Sequence, residues 1–193
     1  MKIGVLALQG AFAEHITILK RLNVDAMPVR LPHQLEGLDG LIIPGGESTT
    51  ITKLMASYKL QSKIVELAHN NFPIFGTCAG MIVLASELSS NGGVKPTGAM
   101  AIKVNRNAFG RQVDSFETEL SIPILGKKPF IGVFIRAPLI ESVGKGVEVL
   151  ARLNDGTIVA ARQGKLLVCA FHPELTDDPR FHHYFLDIVL GKQ

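Results

Sequence analysis

Two hydrophobic periods alternate along the first part of the chain. KIGVLAL (residues 2–8) is a nearly unbroken apolar run, as expected for a strand buried on both faces of a parallel sheet. AFAEHITILKRLN (11–23) follows with Phe12, Ile16, Leu19 and Leu22 at the spacing of one helical face. VDAMPVR (24–30) is a weaker strand, and DGLIIPGG (39–46) a strong one that ends in Pro44-Gly45-Gly46. Residues 48–70 read as helical, in two pieces broken around Ser57–Lys59. FPIFGT (72–77) is the next strand, and AGMIVLASEL (79–88) the helix behind it. This rhythm predicts an α/β fold with a central, mostly parallel sheet flanked by helices.

The second half changes period. After the turn-rich SSNGGVKPTG (89–98) come short strand candidates: AMAIKVN (99–105), FETELSI (116–122), FIGVFIRA (130–137), VEVLARL (147–153), TIVAARQ (157–163) and KLLVCAF (165–171). Turn signals such as Asn154-Asp155-Gly156 and Gln163-Gly164-Lys165 separate several of them, which predicts antiparallel hairpins. A last helix is expected from about Asp178 to Leu190. No repeat, low-complexity tract or linker divides the 193 residues, so one domain over 1–193 is expected.

Composition narrows the function classes. A formal charge of +3, with no dense Lys/Arg run, argues against nucleic acid as a partner. The N-terminal MKIGVLALQGAFAEH superficially resembles a signal peptide, but its apolar run is too short, and a first strand entering a turn explains it better. No segment approaches the ~20 apolar residues that span a bilayer, so no membrane association is expected. The only two cysteines, Cys78 and Cys169, form no CxxC pair, which argues against a zinc site or a disulfide framework and for a cytoplasmic protein.

Ligands of open α/β sheets gather beyond the carboxyl ends of the strands. Three stretches there carry unusual residues: LQG (8–10), PGGEST (44–49) and GTCAG (76–80). The last has the nucleophile-elbow pattern with cysteine in place of serine. Gly76 and Gly80 remove side chains that would clash in so tight a turn, and the following helix points its positive end and its free N–H groups at the sulfur. A buried cysteine at a helix start is the structural alternative. His172 and Glu174, in LVCAFHPEL (167–175), offer an imidazole base and a carboxylate to orient it, on one side of an extended segment. A turn that caps the last helix is the alternative there. PGGEST lacks the Lys-Ser/Thr of a phosphate loop, but its glycines expose N–H groups suited to an anion, with Glu47 and Ser48 placed to grip a small substrate. Ser48 as a plain helix N-cap is the competing explanation. Among the histidines, His15 is expected to be packed or exposed without a role, a place at the ligand edge of the sheet being its alternative, and His182 and His183 are expected to be solvated. Cys169 is expected in the core.

With GVLALQGAFAEH, PGGESTT, FGTCAG, RNAFGRQVDSFE, VFIRAP, VAARQG and FHPELT, the chain resembles class I, triad-type glutamine amidotransferases along almost its whole length. Within that class it is similar to the glutaminase subunits of pyridoxal 5′-phosphate synthase. The resemblance implies a flavodoxin-like sheet, with Cys78 as nucleophile, His172 as base and acid, and Glu174 orienting His172. It implies a glutamine site at Gly46, Glu47, Ser48, Arg106, Ile135 and Arg136, and an oxyanion hole at Gly45, Gly46 and Ala79. It further implies L-glutamine as substrate, ammonia as the useful product, a (β/α)₈-barrel synthase subunit as partner, and no cofactor or metal for this subunit. Two other readings stay open on residues alone. One is a thioesterase or peptidase using the same elbow; the other is a non-catalytic protein whose elbow cysteine senses oxidation.

Overall fold

The computed structural model describes residues 1–90, 92–106 and 115–193. Strands β1 (Lys2–Leu6), β2 (Asp25–Val29), β3 (Gly40–Ile43) and β4 (Ile74–Thr77) alternate with helices α1 (Phe12–Arg21), α2 (Ser48–Ser57), α3 (Leu60–His69) and α4 (Ala79–Leu84). Then follow β5 (Ala85–Leu88), β6 (Met100–Asn105), β7 (Ser115–Leu120), β8 (Phe130–Ile135), β9 (Leu139–Val143), β10 (Glu148–Arg152), β11 (Ile158–Gln163), β12 (Leu166–Cys169) and α5 (Arg180–Val189). The main sheet runs β2-β1-β3-β4-β12-β11-β9-β6-β5, with β10 on β11, and β7 and β8 form a separate hairpin. Its first five strands are all parallel, in a flavodoxin-like order. β9 to β12 pair antiparallel, as the hairpin signals predict.

β4 shows how the layers assemble. Consecutive strand residues point to opposite faces. Phe75 meets Phe181 and Phe185 of α5, with ring centroids 5.6 Å apart in each pair. Gly76 instead faces Gly80 and Leu84 of α4. Helices α5 and α4 therefore cover opposite sides of the sheet. α1 shares the side of α5, because His15 reaches His182 there. Isoleucine, leucine and valine fill β1, β3 and β12 with almost no exposure, as their unbroken apolar runs require.

One expectation needs correction, and two features were not expected. The helical run 79–88 ends at Leu84, and Ala85–Leu88 pairs parallel with β6. An available strand partner outweighs a weak local helical preference. β9 was not among the strand candidates; it carries the exposed Glu141 and Ser142 in succession and lacks a clean alternation. β12 pairs antiparallel with β11 on one side but parallel with β4 on the other. The break at Ser57–Lys59 is present, with Lys59 in the left-handed region at φ 59°. Among the described residues, no helix is long and apolar enough to cross a membrane.

Candidate active site

Cys78 stands between β4 and α4 with φ 47° and ψ −102°, a backbone conformation that costs a non-glycine residue ~1–3 kcal/mol. Its neighbours dictate the turn. A Cβ on Gly80 would lie 2.0 Å from the carbonyl oxygen of Ile43, and one on Gly76 would lie 2.6 Å from that of Gly80. Only glycine lets β3, β4 and α4 approach this closely. The Cys78 N–H donates to the Cys169 carbonyl at 2.8 Å, so the parallel β4/β12 register levels the end of one strand with the end of the other.

That register brings in the histidine. His172 follows β12 by a few residues, and its N–H donates to the Val133 carbonyl of β8 at 2.8 Å. Its Nδ1 lies 2.7 Å from Glu174 Oε1. The segment between them is not extended: Pro173–Leu175 forms a 3₁₀ turn, and the pair meets across it. Nor does this turn cap the last helix, which starts at Arg180 behind Pro179. Cys78 lies beside His172 in the same cleft and favours its protonated form. A Cβ on Gly45 would strike His172 Cε1 at 2.4 Å and approach Cys78 Cβ to 3.2 Å, so the glycine turn after β3 closes against both reactive side chains.

Electrostatics follow from this packing. Burial works against a charge on His172, but its hydrogen bonds and charge interactions with Cys78 and Glu174 win and raise its pKa to about 10. Burial likewise opposes ionisation of Glu174, and its interactions with His15 and His172 outweigh that and lower its pKa. At neutral pH the site therefore holds a protonated imidazole between a sulfur and a carboxylate. Cys169 is fully buried, donates to the Phe171 carbonyl, and has its thiol pushed well up by burial, as expected for a core residue. Both cysteines are free.

A cleft of about 330 Å³ opens at the sulfur. Gly46, Glu47, Ser48, Arg106, Ile135 and Arg136, all expected at a substrate site, line it together with Cys78 and His172. Arg136 holds φ 42°, which turns the chain at the end of β8 over the opening. Arg106 Nη2 lies 3.3 Å from Thr49 Oγ1 and 4.0 Å from Glu47 Oε1. The helix cap is corrected: Glu47, not Ser48, is the N-cap of α2. Its carboxylate accepts from the N–H groups of Thr49 and Thr50 and from the Thr50 hydroxyl, and these bonds, Thr50 first, hold its pKa at about 2. The Glu47 side chain is thus committed to the helix, and Ser48 is its first residue.

Gly45 and Ala79, expected in an oxyanion hole, do not line the cleft themselves; each adjoins a residue that does, Gly46 and Cys78. The Gly45 carbonyl accepts from Ala11 N–H at 3.1 Å, so the trans peptide turns Gly46 N–H away from that contact. Ala79 opens α4, where an N–H has no partner within its own helix. Most of the GRQVDSFE motif, Gly110 to Asp114, lies outside the described residues.

Gln9, Ile82 and Pro138 also line the cleft, and none of them was given a role at the site. Gln9 lies in the LQG loop, and its Oε1 accepts from Glu47 N–H at 2.6 Å. Its place at the end of β1 was the available signal; Ile82 and Pro138 carry none. The largest correction concerns the histidines. His182 is not solvated but wholly buried; His15 is buried as well, the packed state being one of those expected of it. His182 falls on the inward face of α5 with Phe181 and Phe185, a helical spacing that a lone polar residue does not reveal. His33, His69 and His183 are exposed.

The chain matches the SNO glutamine amidotransferase family over residues 5–190. It is 59% identical to the pyridoxal 5′-phosphate synthase subunit PdxT of Herpetosiphon aurantiacus, across 97% of this chain and 100% of that one. The PdxT of a Dehalococcoides mccartyi strain is 58% identical, across 98% and 97%. A crystal structure of a glutamine amidotransferase superposes with a TM-score of 0.91 at 51% identity, covering 97% of this chain and 98% of that one. A nucleophile elbow, a carboxylate-held histidine and a full-length match thus converge: the chain belongs to the SNO glutamine amidotransferase family.

Proposed function

We propose that this chain is the glutaminase subunit of a pyridoxal 5′-phosphate synthase, releasing ammonia from L-glutamine for a partner subunit. The observation that carries the chemistry is His172 held between Cys78 and Glu174 at the floor of a cleft. The relatives' names carry the assignment to vitamin B6 synthesis.

The Cys78 thiolate attacks the side-chain amide carbon, and a carbon–sulfur bond forms as the carbonyl oxygen becomes an oxyanion. N–H groups of Gly45, Gly46 and Ala79 face that oxygen. Protonated His172 gives its proton to the leaving nitrogen, the carbon–nitrogen bond breaks, and ammonia departs from a glutamyl thioester. A water molecule then loses a proton to His172 and displaces the sulfur, leaving glutamate and the original ion pair. Glu174 holds the imidazole in one orientation throughout. The Arg106 guanidinium fork meets the substrate α-carboxylate, and Ile135 and Arg136 close the cleft. The reaction is cytoplasmic, and residues 1–193 work as one domain.

Ammonia released into water is protonated and lost as a nucleophile, so the partner must receive it directly. A (β/α)₈-barrel subunit, which builds the ring from ribose 5-phosphate and glyceraldehyde 3-phosphate, is that partner. The test is a glutaminase assay with and without the barrel subunit. Glutamate and ammonia in equal amounts, at a rate raised by the partner, are expected. No glutamine turnover alongside hydrolysis of an unrelated ester or peptide would overturn the reading.

A further inference from the structure

Behind the triad, on the side away from the cleft, two wholly buried histidines continue its line. His15 Nε2 lies 3.4 Å from Glu174 Oε2 and 3.2 Å from Thr77 Oγ1. His15 Nδ1 lies 2.9 Å from His182 Nε2. Glu174 Oε2 has no hydrogen-bond partner among the described residues, the 3.4 Å approach of His15 Nε2 falling short of one, and His182 Nδ1 has none either. Phe75 packs edge-on against both rings, at 6.2 and 5.9 Å between centroids.

We propose that His15 and His182 are positioning residues: a one-way relay that sets the Nε2–H of His15 against the Thr77 hydroxyl and the second oxygen of Glu174, and thereby aligns His172. The inference rests on the triad reading above. Proton placement follows from elementary constraints. A carboxylate only accepts, and a bare ring nitrogen 3.4 Å from a buried carboxylate oxygen would be repelled, so His15 carries its proton on Nε2 and donates it to Thr77 Oγ1 beside that oxygen. Burial lowers the pKa of His15, more than its neighbour Glu174 raises it, and His172 and Glu14 are the other charged groups that act on it. Burial, with His15 second, keeps His182 well below the ordinary imidazole range. Both rings are therefore neutral. With one proton each, His15 Nδ1 must accept, and His182 Nε2–H must donate to it. His182 Nδ1 is then a bare acceptor, consistent with its lack of a partner. Every N–H in the line then runs toward the side where Thr77 Oγ1 and Glu174 Oε2 lie. The opposite direction would leave a bare nitrogen facing a buried carboxylate.

Nitrogen-15 NMR of the isolated, histidine-labelled chain reads this directly. Between pH 6.5 and 8, both His15 and His182 should show a protonated Nε2 and an unprotonated Nδ1. A proton on His15 Nδ1, or a charge on either ring, would overturn the relay. The second measurement is the rate of Cys78 alkylation by iodoacetamide at pH 7, which requires neither glutamine nor partner. His15→Leu should slow it on the order of tenfold, the usual scale for losing a group that orients a reactive one. His15→Gln, which keeps a donor of similar reach, should restore most of the rate. His182→Phe should slow it less, and should add nothing in the His15→Leu background, since it acts only through His15. An unchanged rate in His15→Leu, no rescue by Gln, or additive effects would each refute a positioning role. If His15→Leu does not fold, the tautomers of the unaltered chain decide alone. A glutaminase assay that fails while these hold would count against the proposed function and not against the relay.

Discussion

Cys78 and His172 are useful only as a pair. The histidine's pKa of about 10 depends on the sulfur and on Glu174, so Cys78→Ala should lower it, as a proton NMR titration of the ring would report; no change would contradict a part for the sulfur in holding that proton. The sign for stability follows. A raised histidine pKa contributes stability fully below its unfolded value near 6.5, and loses it as the pH climbs through about 10. The lowered Glu174 pKa works in the other direction, contributing above its unfolded value of 4.5 and losing as the pH falls below it. Hydrolysis should therefore fail on the alkaline side near pH 10, where His172 no longer holds the proton for the leaving nitrogen. Cys78→Ala should abolish turnover while leaving partner binding intact, and His172→Asn should cost several orders of magnitude, because triad members act as a unit. Arg106→Lys should raise KM for glutamine more than it lowers kcat, since a point charge replaces a fork.

At the scale of elements, the site is built by where strands end. β3, β4 and β12 finish side by side, and three glycines let their loops nearly touch. Gly80→Ala would press a methyl group against the Ile43 carbonyl, 2.0 Å away. We expect it to cost ~1–3 kcal/mol in denaturant unfolding and to reduce glutaminase rate further still, because the elbow itself must shift. A variant with unchanged stability and rate would contradict so close an approach. The parallel half of the fold, the elbow and the triad were legible because each leaves a local mark: apolar runs, a glycine-flanked cysteine, His-Pro-Glu. The parallel pairing of β12 with β4 left none. It depends on a strand from late in the chain returning to the sheet's centre, and periodicity carries no information on which neighbour a buried strand chooses. Strand β5 was misread for a similar reason, since its partner β6 decides its state. His182 was misread because one polar residue on an apolar helix face looks like a solvated one until its partner is known.

The whole molecule joins its two halves through an aromatic layer beneath the site. Phe75, Phe130, Phe171, Phe181 and Phe185 are fully buried, and Phe181 touches Phe75, Phe130 and Phe171 with centroids 5.2 to 5.9 Å apart. Phe181→Ala should cost ~3–5 kcal/mol, which for a chain of this size lowers Tm on the order of 10 °C; a calorimetric shift of only a degree or two would remove this layer from the account. Cys169→Ser should likewise lower stability more than turnover. Both changes lie behind the cleft, so the chemistry itself is tested elsewhere. The most direct measurement is acid quenching of the chain, together with its barrel subunit, during turnover of glutamine, followed by peptide mass spectrometry. The account predicts a glutamyl group bound to Cys78 and absent from Cys169, with none in Cys78→Ala. Continued glutamate release by Cys78→Ala, with no adduct on Cys78 in the unaltered chain, would contradict it.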